Sequence, residues 1–161
     1  MFEHLDTPTD LFTFRLGSLL SAEHDSLQML QDLEQAVDRN DLKQMFAHHA
    51  EETRQQIANV ERCFTILGQK PDDSPSPTTE GLAKEARSLI RKSDPTLIDS
   101  VAVSGGLATE HYEIATYTTL IDMAEAQGAT QIAALLEANL AQEKAAADKL
   151  AVAGRALAGI R

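Results

Sequence analysis

The chain has 161 residues, a formal net charge of −11 and a single cysteine, Cys63. That length can bury a real core in one domain, 1–161, and the acidity argues against a nucleic-acid backbone or an anionic membrane as partner. One cysteine permits no internal disulfide and no thiolate metal cluster, and neither a basic-apolar leader nor a membrane-length run is visible, so a reducing cytoplasm is the expected location.

Alanine, leucine, glutamate and glutamine dominate, which is helix composition. Thr7-Pro8-Thr9-Asp10 reads as an N-cap, a proline at the first helical position and an acidic first turn. The first helix then runs to about Arg39. Asn40-Asp41 breaks and recaps, the second helix runs from Leu42 to about Leu67, and Gly68 closes it. Pro71 to Thr79 is a loop, because three prolines and four hydroxyl residues cannot continue a helix. A short helix follows from Glu80 to about Lys92. Asp94-Pro95 caps a third long helix that ends before Gly128, and a fourth spans Thr130 to Leu157. Strand signals are absent. Two tight hairpins and one long crossover predict an all-α, ferritin-like four-helix bundle with one additional short helix.

Each long helix places a glutamate in the stripe where a leucine belongs. The stripes are Leu16, Leu20, Glu23, Leu27, Leu30 in the first helix and Met45, His49, Glu52, Gln56, Val60, Cys63 in the second. In the third, Val103, Glu110, Glu113, Tyr117 and Leu120 share a face; in the fourth, Leu136, Asn139, Glu143, Ala146/Ala147 and Leu150. The polar positions fall at mid-helix, so antiparallel packing brings them to one level. Carboxylates are almost never buried unless paired, and several together repel. A cation between them resolves both problems. The internal echo of Ser21-Ala22-Glu23-His24 in Ala108-Thr109-Glu110-His111 fits a two-fold repeat of helix pairs.

Carboxylates are hard ligands that bridge two ions, and a carboxylate-rich set with one histidine suits iron or manganese. Glu110 and Glu113 stand three apart on one face, as do His49 and Glu52, so each pair reaches a common centre. The order His-x-x-Glu is the reverse of the usual Glu-x-x-His, which leaves His49 either a ligand or a residue orienting Glu52. The metal candidates are therefore Glu23, His49, Glu52, Glu110, Glu113 and Glu143. His24, His48 and His111 read as flank residues, and Cys63 as a small core residue. Gly105-Gly106 inside the third helix requires a close helix contact or a kink.

Ser21-Ala22-Glu23, His49 to Gln56 (HAEETRQQ), Glu110 to Tyr117 (EHYEIATY) and Glu143-Lys144-Ala145-Ala146 together resemble the bacterial YciE/YciF-type ferritin-like family of stress-associated proteins. The resemblance covers nearly the whole length. It implies a rubrerythrin-like bundle, a site for two transition-metal ions and a homodimer. Relatives commonly carry an acid one turn after the fourth-helix glutamate, where this chain has Ala147. The alanines at 146 and 147 therefore weaken the second metal position or leave room for an exogenous ligand.

Three readings compete. The leading one is a non-haem di-iron or di-manganese protein with peroxide or oxygen reactivity in stress. The second is a non-enzymatic helical dimerisation or interaction module with a partly degenerate metal site. The third, iron storage in a cage, has no sequence feature of its own. Two bland readings stand beside these: glutamates on solvated flanks, which should not respect a common level, and a buried hydrogen-bonded network without metal.

Overall fold

A computed structural model describes residues 4–72 and 74–159. Five α-helices follow in order: α1 (Pro8–Ala36), α2 (Asn40–Ile66), α3 (Pro77–Lys92), α4 (Ile98–Ala126) and α5 (Thr130–Leu157), with a 3₁₀ turn at Pro95–Leu97 before α4. Among the described residues there is no strand, and no helix is long and apolar enough to cross a membrane.

The ends obey their local chemistry. Thr7 and Asp10 form a reciprocal capping box, with the Asp10 N–H donating to Thr7 Oγ1 at 3.1 Å and the Thr7 N–H to Asp10 Oδ2 at 2.9 Å. Gly68 and Gly128 take φ of 69° and 71°, the left-handed conformation that lets the next amide turn back. Gln69 N–H then reaches Phe64 O and Ala129 N–H reaches Ala124 O, each at 2.9 Å. α1 stops three residues short of the predicted Arg39 because Val37 turns extended (ψ 150°) and buries its own side chain. α3 starts earlier than Glu80: Pro77 occupies the first helical position, and the Ser76 carbonyl already accepts from the Glu80 N–H at 3.1 Å.

The four long helices form a square. α1 packs on α2 and α4, α5 packs on the same two, and α3 lies outside against α1 and α4. This is the ferritin-like arrangement, with the crossover between the second and third long helices. Gly105 and Gly106 mark close contacts rather than a kink, since α4 is continuous through them. A Cβ on Gly106 would stand 3.3 Å from both Leu150 and Phe46, and one on Gly105 3.3 Å from Ala86 of α3. The segment leading into α3 is anchored on α1, where Ser18 donates to Pro75 O at 3.1 Å, and Thr79 in the first turn of α3 donates to Asp25 Oδ2 at 2.8 Å.

The apolar interior comes in two layers. One gathers Phe12, Leu16, Val60, Phe64, Leu120 and Leu136 with their neighbours. The other gathers Leu30, Leu33, Leu42, Phe46, Val103 and Leu150. Burying a leucine or phenylalanine side chain stabilises by about 1.5–3 kcal/mol, and both layers consist largely of such residues. Between them lies a layer of buried polar side chains.

Candidate metal centre

The polar layer exists because four antiparallel helices bring their mid-points together. Glu23 comes from α1, His49 from α2, Glu110 and Glu113 from α4 and Glu143 from α5, and all five are buried. Glu52, one turn after His49, is partly exposed, with 19% of its side chain open to solvent. His24, His48 and His111 lie on the surface, as their flank positions predict. Cys63 is a free thiol within the apolar layer, and burial pushes its pKa up to about 12.

His49 is the hub. Its Nε2 lies 3.0 Å from Glu110 Oε2 and 3.4 Å from Glu143 Oε2, and its Nδ1 lies 2.9 Å from Glu52 Oε2. Ligand atoms of His49, Glu110 and Glu143 fall within 4.8 Å of one another, close enough to hold one ion. On the other side, Tyr117 donates to Glu23 Oε1, and Asn139 Nδ2 donates to the Tyr117 hydroxyl at 3.0 Å and to Gln56 O at 3.2 Å. Ser26 donates to Glu113 Oε2 in a long contact of 3.5 Å.

Much of the layer's bonding capacity is unused by protein. Glu23 Oε2, Glu110 Oε1, Glu113 Oε1, both Glu143 oxygens and both polar atoms of the Gln56 amide have no hydrogen-bond partner in the protein, although all are buried. Buried acceptors without partners are costly and rare, so a cluster of them points to a missing positive group. Hard carboxylate oxygens with one imidazole are the donor set that iron or manganese prefers. The residues present therefore fit such ions.

The protonation pattern agrees. Burial first, then repulsion from Glu143, drives the Glu23 and Glu113 carboxyls well above their ordinary range. Burial and the neighbouring Glu143 carboxylate push Glu110 up to about 8. Glu143 is the exception: burial opposes its charge, but the neighbouring Glu110 carboxyl and the His49 imidazole 3.4 Å away hold it below the usual value. Burial likewise opposes the His49 imidazolium, yet hydrogen bonds and charge from Glu110 and Glu143 push it up to about 11.

Sequence reasoning missed Ser26, and it placed Asn139 in the stripe without a partner. Ser26 lies three residues from Glu23 on α1, a spacing that puts both on one face. Asn59, on a flank, was also not singled out; it donates to Asn139 Oδ1 at 2.7 Å. Of the alanine pair, Ala146 lines a cleft that reaches His49, whereas Ala147 is buried and is not among the residues lining that cleft.

A square of antiparallel helices with a buried carboxylate–imidazole layer defines a ferritin-like protein with a possible metal-binding cluster. The model of the family described as "domain of unknown function (DUF892)" matches residues 7–158, and the chain belongs to that family. Protein YciF of Escherichia coli is 32% identical over 149 residues, 91% of this chain and 90% of that protein. The crystal structure of YciF, described as a stress protein, superposes with a TM-score of 0.91 at 30% identity, covering 97% of this chain and 99% of the other. YcfI of Rhodopseudomonas palustris gives 0.90 at 37% identity over 93% and 96%. A dodecameric thioferritin from Bacteroides fragilis, 15% identical with a TM-score of 0.71 over 96% and 89%, shares the fold.

Proposed function

We propose that this protein is a non-haem di-metal protein that holds two iron or manganese ions in the polar layer and reacts with peroxide or dioxygen under stress. The observation that supports it most is the set of unpartnered buried oxygens on Glu23, Glu110, Glu113 and Glu143 around His49. In this reading His49 Nε2, Glu110 and Glu143 would hold one ion, and Glu23 and Glu113 would contribute to holding a second. Glu52 either binds directly or, through its 2.9 Å contact with His49 Nδ1, fixes the ring so that Nε2 points inward. The ions would supply redox equivalents and Lewis acidity to an oxidant.

The chain's own residues do the rest. Tyr117 and Asn139 orient Glu23, the two apolar layers exclude water, and the protonated carboxyls yield protons when cations enter. The description of YciF as a stress protein supports the physiological setting. The buried lone thiol supports a cytoplasmic location. A homodimer rests on the family resemblance.

One observation favours a metal-free alternative, in which the bundle is an interaction module. A charged His49 already compensates Glu143, so the layer has a cation of its own. Metal analysis separates the two. Untagged protein loaded with ferrous or manganous ion should carry roughly two ions per chain. Exchange of Glu110 and Glu143 for glutamine should abolish uptake while helix content is kept. A natively folded protein with metal content near zero overturns the proposal, and a value near one removes the second ion from it.

A further inference from the structure

A cleft of about 240 Å³ opens at the surface beside α2 and α5 and ends on His49 and Glu52. Leu30, Met45, Phe46, Ala146 and Leu150 form its apolar lining. His49 and Glu52 are the two candidate metal residues that line it, so it connects solvent with the polar layer. We propose that this cleft binds a neutral alkyl or aryl molecule ending in a hydroxyl or hydroperoxide, with its apolar body on Phe46, Met45 and Leu150 and its polar end at Glu52 and His49. The substrate class for the function proposed above is then organic hydroperoxides. The reaction rests on that reading, but the binding site does not.

Size and lining decide the body. An apolar cavity of about 150 Å³ is enough for benzene, so this cleft takes an aryl ring with a short substituent. Hydrogen peroxide is little larger than water and has no use for such a wall. A pocket that is mainly apolar, with a few convergent polar atoms, is the usual form of a small-molecule site.

Charge decides the head. Glu52 Oε1 has the exposed His48 Nε2 as an ion-pair neighbour at 3.4 Å, a long contact that leaves it able to accept from a hydroxyl. The lining sets Glu52 and Asp41 against Lys149 and the His49 ring, so neither a carboxylate nor an ammonium head finds a net counter-charge there. A neutral donor needs none. Reducing a hydroperoxide here breaks its O–O bond, takes up two protons and two electrons, and leaves the alcohol and water. The electrons come from the reduced metal pair of the proposed function.

The test uses metal-free full-length protein labelled with ¹³C at its methionine methyls, titrated with 2-phenyl-2-propanol and separately with benzoate. The Met45 methyl should shift saturably with the alcohol, at least tenfold more tightly than with benzoate. Met123, which packs against the other apolar layer, should not move. Ala146→Leu and Leu150→Phe should each weaken binding at least tenfold, with folding checked in the same spectra. No saturable shift at Met45 in the unaltered protein overturns the site, whatever the variants do. Equal binding of benzoate overturns the neutral head. Alcohol binding without metal uptake defeats the di-metal reading alone, and metal uptake without alcohol binding defeats this inference alone.

Discussion

Tyr117 on α4 and Glu23 on α1 are joined by a buried hydrogen bond across 94 residues of sequence, and the same phenol accepts from Asn139 on α5. One hydroxyl thus ties three helices at the level of the polar layer. Tyr117→Phe would leave Glu23 Oε1 and Asn139 each short of a partner in a dry environment. Leaving a buried group unsatisfied costs about 1–3 kcal/mol. Urea denaturation of metal-free protein should show a loss of that size with an unchanged slope. A loss under roughly 0.5 kcal/mol would mean that the network is slack.

The metal-free form should lose stability as pH rises. Glu110 moves from an ordinary 4.5 to about 8, and Glu23 and Glu113 move in the same direction. Between those values the folded state holds more protons than the unfolded one, so stability falls with increasing pH. His49, raised from 6.5 to about 11, has the same sign: its contribution is complete below 6.5 and is lost as pH climbs through 11. Glu143, held low, loses its contribution only as pH falls below 4.5. Thermal melts of chelator-treated protein should therefore peak at about pH 5–6 and decline steadily to about pH 9. A flat profile over that span would show that these groups are solvated.

Metal entry should expel protons. At neutral pH the raised groups Glu23, Glu113, Glu110 and His49 carry protons that cations must displace. Calorimetric titration with manganous ion in buffers of different ionisation enthalpy should show release of about four protons per chain, one from each of these groups. The metal-loaded protein should then lose less stability on alkalinisation than the metal-free one. Binding heats that do not depend on the buffer would place the ions elsewhere.

Two glycines should respond in opposite ways to the same change. Gly81 in α3 has open space where a Cβ would go, whereas at Gly106 a Cβ would press on Leu150 and Phe46 at 3.3 Å. An interior helical glycine is worse than alanine by about 0.5–1 kcal/mol, so Gly81→Ala should stabilise by about that much. At Gly106 the same gain is set against overpacking of about 1–3 kcal/mol. Gly106→Ala should therefore be net destabilising in thermal melts, and a stabilised variant would mean that Leu150 gives way easily.

The bundle was legible because its long helices are punctuated by Pro8, Gly68, Pro95 and Gly128, and because one face of each is apolar. Glu23, His49, Glu110, Glu113 and Glu143 were legible for the same reason, as polar residues in apolar stripes that the fold then buries. Glu52 was harder. It lies at the edge of the α2 stripe, partly exposed and lining the cleft, while His49, Thr53 and Gln56 are the polar residues that α2 buries, and a one-turn spacing rule does not resolve that rotation. Phe46 and Phe64 are fully buried yet lie outside the narrow stripe of α2, since a helix inside a bundle covers a wider arc than a two-position seam. Gly105-Gly106 left two explanations open, and only the positions of Phe46, Ala86 and Leu150 choose between them. Helix ends shifted by two or three residues where tertiary contacts, such as burial of Val37, outweighed local preference.

The polar layer splits the apolar interior into two cores that are small by the standard of a stable domain. The halves are therefore mechanically in series. Stiffness passes from one to the other through groups whose charge depends on protons and cations. Metal bound there as proposed would clamp four helices at mid-height, whereas the metal-free layer is held by protonated carboxyls gathered around His49. Amide exchange across residues 23–26 and 110–113 would then report the occupancy of the centre as directly as any spectrum.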